Sequence, residues 1–363
     1  MGDPGNAVLG SHDLLAAILH HVQPESLRPL LRRDVAPVAV LWRAIVNMLV
    51  ADWAALSLRS CFTIHLPVGY IIPAGSALDE TKRTASPFKA AALPNGETLI
   101  ISDDAAGFVK EYDANGRCIR DLSPLPPTPG LGQTSLAICA SNDHLFVYCL
   151  TAGLSKGKLV RLRLSDGVII DEAGNDEFLS FDDLLASIHQ ESPSNPNLGN
   201  PCACVHAEGV LYVADTHHDR VVLFDTDPFL DFRSSFGSRG EGPGQFQNPN
   251  GVAIFGDECF VSDRRNRRIQ VFTTDGSFVR AFPTPARNRG GRRGPKDLAI
   301  DSSGRLLVVE ADTVAVLTRT GELLQLLPIA GSERLTGIAL SATTAFVTEC
   351  EQGKVHVLDL LSS

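Results

Sequence analysis

The 363-residue chain lacks most of the short patterns that announce chemistry. It has no His-Glu-x-x-His, no P-loop, no Gly-x-Ser-x-Gly and no Cys/His ladder of the RING type. Zincin, P-loop NTPase, serine-hydrolase and RING readings therefore lose their usual support. No apolar run is long enough to span a bilayer. Met1-Gly2-Asp3-Pro4 lacks the basic start and long apolar core of a secretory signal. Asn6 stands where a myristoylation signal wants Ser or Thr, and no Asn-x-Ser/Thr sequon occurs. Positive charge is also short. Lys and Arg total 32 against 42 Asp and Glu, a net charge of −10, which argues against wholesale binding to nucleic acid or an anionic membrane but leaves a local patch open. The eight cysteines (residues 61, 118, 139, 149, 202, 204, 259 and 350) are scattered singly, and the one close pair, Cys202 and Cys204, has the wrong spacing for a zinc knuckle or a redox pair.

What the chain has instead is a repeat. Residues 237–282 contain a Gly-Pro-Gly-Gln-Phe turn, then Asn-Pro-Asn-Gly leading into an apolar strand at 251–255. A turn at Gly256-Asp257, a second strand ending in Asp263, a polar run over 264–267, a third strand at 268–272, a turn at Asp275-Gly276 and a fourth strand at 278–282 complete an antiparallel meander. Residues 201–236 repeat the plan. Pro201 and Pro249, Asp215 and Asp263, and Arg220 and Arg268 all keep a 48-residue interval. Weaker copies include 99–116, 134–171, 294–321 and 335–360. A single meander buries one face only when copies stack against it, and roughly six units of about 40–48 residues is the period of a β-propeller.

The unit at 240–282 resembles the NHL repeat. Gly244, Phe246, Pro249, Gly251, Asp263, Asn266, Arg268, Ile269, Gln270, Val271 and Phe272 match that family's pattern, and the preceding unit carries His218 for the Asn and keeps Arg220. The resemblance implies an all-β, six-bladed propeller over 87–363 and says little about activity, because propellers host many. Closure is a separate expectation. The last unit stops at its third strand, 354–360, so 61–66 is expected to supply the fourth and remove an exposed edge, with residues 59–86 serving as closing strand and linker.

Residues 1–58 read differently. Leu14, Leu15, Ile18, Leu19 and Val22 have helical spacing, Pro24 suits the first turn of a helix bearing Leu27, Leu30 and Leu31, and Pro37 opens a third with Val38, Leu41, Trp42 and Ile45. This head resembles an F-box in its Leu-rich first helix, its Pro24-to-Leu27 step, Trp42-Arg43 and Trp53, although Gly10-Ser11-His12 replaces the usual Leu-Pro opening. The resemblance implies docking of a cullin-linked adaptor protein through Leu14, Leu15, Ile18, Leu27 and Leu30. The alternative is a helical cap whose leucines form its own core.

In a four-stranded blade, the connections after strands two and four open on one face, here called the upper face. Arg264, Arg265 and Arg267 follow strand two of the fourth unit, and Arg287, Arg289, Arg292, Arg293 and Lys296 follow its strand four. Residues 264–296 hold ten Lys or Arg and one acid, Asp275, so this face is expected to bind a protein client with an acidic segment. Arg268 is expected to be spent on Asp263. RNA is the second ligand open to these loops. It would bring a log–log salt slope of about 0.7 per neutralised phosphate in a single strand, but the loops lack stacking aromatics. An insert at 171–200 carries an amphipathic stretch at 178–190 and an acidic side. Asp103, Asp215, Asp263, Glu310 and Glu349 recur after strand two, each expected to cap its own loop. His206, His217 and His218 fall in one unit without counterparts, which weakens a metal-dependent hydrolase or lyase reading. The sequence thus points to a non-catalytic scaffold without cofactor or metal, away from membranes. Its unpaired cysteines fit a reducing compartment, cytoplasmic or nuclear. The scaffold would recruit a substrate to a cullin-type ubiquitin ligase or bind RNA.

Overall fold

A computed structural model describes the backbone of 58–65 and residues 87–93, 98–103, 108–113, 116–123, 133–151, 157–174, 198–285, 294–329, 331–332, 334–350 and 353–360. All of them lie in the compact unit Leu56–Ser362. The head, the stretch at 178–190 and the segment 286–293 fall outside the described residues. Among the described residues there is no helix.

The strands run in chain order as β1 (Leu58–His65), then β2 (Pro87–Ala92), β3 (Thr98–Asp103), β4 (Val109–Asp113) and β5 (Cys118–Asp121) in blade 1. Blade 2 holds β6 (Gln133–Ala140), β7 (His144–Thr151), β8 (Gly157–Arg163) and β9 (Ile169–Gly174). Blade 3 holds β10 (Ala203–Ala207), β11 (Val210–Asp215), β12 (Arg220–Asp225) and β13 (Asp231–Phe236). A two-stranded ribbon, β14 (Ser238–Arg239) with β15 (Gln245–Phe246), precedes blade 4, which is β16 (Pro249–Phe255), β17 (Glu258–Asp263), β18 (Arg268–Thr273) and β19 (Phe278–Pro283). Blade 5 is β20 (Asp297–Ile300), β21 (Leu306–Glu310), β22 (Thr313–Leu317) and β23 (Leu323–Pro328). β24 (Leu335–Leu340), β25 (Thr344–Glu349) and β26 (Lys354–Leu360) complete the chain.

Every blade is an antiparallel meander with strands in sequence order, and the last borrows β1 as its fourth strand, in the order β1-β26-β25-β24. β1 pairs antiparallel with β26 from Leu58 opposite Leu360 to His65 opposite Lys354, so the expected closure is present. The innermost strands neighbour one another round the ring, β2, β6, β10, β16, β20, β24 and back to β2. The six-bladed architecture expected from the repeat count is the one observed.

Packing follows from the two-residue period of a strand. In β17, Cys259 and Val261 turn toward blade 3, whereas Phe260 between them turns toward blade 5. Both faces of a blade are therefore apolar, as in β11 and β21, whose residues are all buried. Each of the six blade-to-blade interfaces has its own hydrophobic cluster, the one between blades 6 and 1 included, so the ring shuts by packing as well as by hydrogen bonds. Outermost strands have one side in water and alternate accordingly, as Phe278–Pro283 does. One sequence boundary shifts. Asp171 and Glu172 belong to β9 rather than to the acidic insert, Glu172 pairing with Lys158 at 2.8 Å and Asp171 accepting from Arg161 and from the Leu230 N–H.

The repeat motif is a self-satisfying loop. Asp263 is fully buried and accepts from the Gln247 N–H at 2.8 Å, Asn266 Nδ2 at 2.8 Å, Arg268 Nε at 2.8 Å and Gln270 Nε2 at 3.1 Å. Arg268 then donates to the carbonyls of Glu241, Gly242 and Gln245, each at 2.8 Å, which pins the Gly-Pro-Gly-Gln-Phe turn. Phe246, buried against Phe272 at 5.4 Å between centroids, anchors that turn from below. Arg268 is thus a structural residue, as its sequence context suggested.

Candidate functional site

Innermost strands bring charged groups together around the central axis. Lys89 on β2 reaches across to Asp297 on β20, with Nζ to Oδ2 at 2.8 Å and side-chain exposures of 3 % and 7 %. Asp297 Oδ2 also accepts from the Ile338 N–H at 3.0 Å. One carboxylate therefore ties blades 1, 5 and 6 together. Small residues make this approach possible. A Cβ on Gly251 would lie 2.7 Å from Asp297 Oδ1, and one on Gly337 would lie 2.8 Å from the Phe88 carbonyl oxygen.

Above this pair sit further cations. Lys296 Nζ donates to the Leu335 carbonyl at 2.6 Å. Burial pushes its ammonium down to about 8, and the positive charges of Arg264 and Arg334 push in the same direction. Arg264 is also held below its ordinary range, first by burial and then by Arg334 and Arg265, with Cys202 opposing. Burial raises the Cys202 thiol, and nearby Lys89 and Arg264 only partly offset that. The loop after β17 is seated by the Arg264 N–H on the Asn248 carbonyl (3.4 Å) and the Arg265 N–H on the Gln247 carbonyl (3.1 Å). Gly294 lies so close to the Arg264 carbonyl that a Cβ there would be 1.9 Å from it. The described ends of the two basic segments, Arg264 after β17 and Gly294–Lys296 before β20, thus come together.

Of the residues the sequence singled out, Arg264 and Lys296 converge at the channel mouth. Arg265 and Arg267 are exposed on the same loop, Arg267 with a left-handed φ of 55°. Arg287, Arg289, Arg292 and Arg293, like Leu14, Leu15, Ile18, Leu27 and Leu30, lie outside the described residues. Sequence reasoning missed Lys89, Asp297 and Arg334. A signal for one of them existed: Pro295-Lys296-Asp297 occupies the place of Pro249-Asn250-Gly251, so an acid replaces the repeat's glycine.

Asp215 caps its loop as expected, accepting from the Gly199 N–H (2.6 Å), His218 (2.8 Å) and Arg220 (2.9 Å), and Glu349 is met by His356 at 2.8 Å. Glu310 departs from the expectation: among the described residues no donor of its own loop reaches its carboxylate, burial raises its pKa, and the Thr284 hydroxyl at the end of blade 4 is the group that opposes the shift. Among the described residues no group of three His, Cys, Asp or Glu side chains is placed to hold a metal ion. The seven described cysteines are free thiols, six buried and Cys118 exposed.

No protein-family model matches the chain. Protein brain tumor of Drosophila melanogaster is 30% identical over 116 residues, which is 31% of this chain and 10% of that relative, so the chain spans about a tenth of its length. Among solved structures, virginiamycin B lyase from Staphylococcus aureus aligns over 84% of this chain and 100% of its own at 15% identity, with a TM-score of 0.51. The Cps50 (Swd1) β-propeller domain of Myceliophteria thermophila aligns over the same shares at 12% identity, with a TM-score of 0.52. At such identities these structures speak for the fold alone: the chain is a six-bladed β-propeller with local likeness to an NHL-repeat protein.

Proposed function

We propose that this propeller is a non-catalytic interaction scaffold that takes an acidic segment of a client protein at its upper channel mouth. The observation that carries the reading is the setting of Lys296. Its charge is disfavoured by burial and by two arginines, while Asp297, the carboxylate beneath, is taken by Lys89. Among the described residues no acid pairs with the side chains of Arg264 or Lys296. A carboxylate from outside would relieve both, because charge-assisted hydrogen bonds in a partly desolvated site are about twice as strong as neutral ones. Arg265 and Arg267 extend the positive surface outward, and Arg287, Arg289, Arg292 and Arg293 add to it in sequence.

In the same proposal, residues 1–58 act as an F-box-like head that couples the client to a cullin-linked adaptor protein. Support for that step is the sequence pattern alone. The test is affinity purification of the full chain from cell extract beside two variants, Arg264→Glu/Lys296→Glu and Leu15→Asp/Leu27→Asp, each checked for folding by circular dichroism. Loss of client proteins from the first variant and of cullin components from the second is the expected result. Wild-type samples without cullin components would remove the adaptor role. Nuclease-sensitive material lost from the first variant would replace the protein client with RNA, the alternative ligand for a cationic mouth.

A further inference from the structure

The rim between blades 4 and 5 holds a cleft of about 500 Å³, lined by Glu258, Arg280, Thr318, Arg319 and Thr320. Strand register brings these groups together. Arg280 on β19 pairs with Val271, and Glu258 lies two residues before Phe260 on β17. Val271 and Phe260 both pack toward blade 5, so the two-residue period turns Arg280 and Glu258 the same way. Blade 5 supplies the turn between β22 and β23, which carries Thr318, Arg319 and Thr320. That turn and the hairpin at 255–258 follow the third and first strands of their blades, so the cleft opens on the face opposite the channel mouth.

One guanidinium in the cleft is engaged within the fold and the other is not. Arg280 makes a two-pronged pair with Glu258, Nη1 to Oε1 and Nη2 to Oε2 at 3.1 Å, and Nη2 also donates to the Arg319 carbonyl at 2.9 Å. The Arg280 hydrogen bonds hold Glu258 below the ordinary carboxylate range, with burial opposing and Arg319 adding, so Glu258 is ionised. Arg319 approaches Glu258 only to 3.9 Å, too far for a hydrogen bond, and among the described residues its guanidinium donates to no protein acceptor. Packing holds it in place instead. Its Cζ is 5.0 Å from the Phe255 ring centroid, and a Cβ on Gly304 would lie 3.3 Å from its Nε. The Thr318 and Thr320 hydroxyls are 2.9 Å apart, and the Glu322 N–H donates to Thr318 Oγ1 at 3.0 Å. One hydroxyl proton closes that pair, which leaves the other for a ligand.

We propose that this cleft binds the carboxylate of an Asp or Glu side chain on a partner protein, flanked there by apolar residues, and that Arg319 is the residue that takes it. Charge decides the class. Two guanidinium groups against one carboxylate leave a positive charge unanswered among the lining residues. A carboxylate answers it with two acceptor oxygens for the Arg319 fork and a lone pair for the remaining threonine proton. A dianionic phosphate would set a second negative charge against Glu258, which is 25 % exposed in the same wall. The apolar flanks follow from β23. Leu323 and Leu324 begin that strand just beyond the turn and are each 47 % exposed, so the neighbours of the acidic residue have a surface to lie on. The cleft shares no residue with the channel mouth, and the inference does not rest on the reading of the mouth.

The probe is acetyl-Leu-Glu-Leu-amide, titrated into the full chain and followed by saturation-transfer NMR on the leucine methyl groups, with acetyl-Leu-Gln-Leu-amide as the neutral control. Work at pH 9.5 separates this site from the mouth, because guanidinium groups keep their charge there while Lys296 has lost most of its own. The glutamate peptide is expected to bind about tenfold more tightly than its control. Arg319→Met, which keeps an apolar stem on Phe255 and lacks the fork, should remove that preference. Arg319→Lys, with charge but no fork, should keep only part of it, and circular dichroism checks that both variants are folded. Equal affinity for the two peptides, a full preference in Arg319→Met, or free acetate binding as tightly as the glutamate peptide would overturn the proposal. So would tighter binding of the corresponding phosphoserine peptide, which would make phosphate the ligand. A preference seen at pH 7, absent at pH 9.5 and intact in Arg319→Met would place the acid at the mouth, refuting this inference and leaving the other reading standing.

Discussion

Lys296 makes the proposed anion site measurable through pH. Its ammonium titrates near 8 in the folded protein against an ordinary 10.5. At about 1.4 kcal/mol per pKa unit, a protonated Lys296 destabilises the folded state by roughly 3 kcal/mol. The sign follows from proton counting. Below pH 8 both folded and unfolded chains hold the proton and the penalty is complete. Between about 8 and 10.5 the folded chain releases it first, so stability rises with pH. Chemical denaturation at pH 7 and pH 10 should show this rise in the wild type and not in Lys296→Met. The other charged groups acting on this site are Arg264, Arg334 and Lys89, with the Cys350 thiol opposing, and the variant isolates Lys296 from them. An anion seated on Lys296 would restore its pKa, so an acidic peptide should bind up to about tenfold more weakly per pH unit above 8. Fluorescence polarisation of a labelled peptide between pH 7 and 9.5 reads that slope. An equal slope in Lys296→Met, or no slope in the wild type, would refute the reasoning.

Three further outcomes are expected. Asp297→Asn should cost about 3–5 kcal/mol by stranding Lys89, whereas Lys89→Met with Asp297→Leu should be far milder, a contrast that a denaturation series resolves. Gly251→Ala should lower stability by about 1–3 kcal/mol, because its Cβ would meet Asp297 and the Leu298 backbone within 3 Å, and the fall in Tm reports it. Arg268→Ala should cost about 3–5 kcal/mol, since it removes the charged partner of the buried Asp263 and the one side chain that ties together the carbonyls of Glu241, Gly242 and Gln245. Limited proteolysis should then cut first in the turn at 240–245.

The fold was readable because its code is local and repeated. Arg268, Asp263 and Phe246 each have a partner set within one unit, and a spacing that recurs shows itself without coordinates. Closure was readable for a related reason, a missing fourth strand having an alternating one to match. The channel mouth was only half legible. Arg264 and Lys296 stood out as part of a charge run, but Lys89 is a lone basic residue in Phe88-Lys89-Ala90, some two hundred residues from its partner Asp297. No period links two innermost strands across the axis, so pairings there are invisible until the ring is closed. Glu310 illustrates the reverse error. Its position in the repeat promised the same capping role as Asp263. Thr313 stands where blade 4 has Arg268 and Ala315 where it has Gln270, and both read as residues of an ordinary strand.

The pairing of β1 with β26 also decides how the ring responds to force. Leu58 lies opposite Leu360, so the two chain ends leave the sheet at the same end of the pair. Tension applied through residues 58 and 360 would therefore load the ladder one rung at a time, as a zipper, rather than all rungs together in shear. The seam is the mechanically soft point of an otherwise continuous ring. A pull on whatever is joined ahead of Leu58 would open blade 6 long before it disturbed the charged axis.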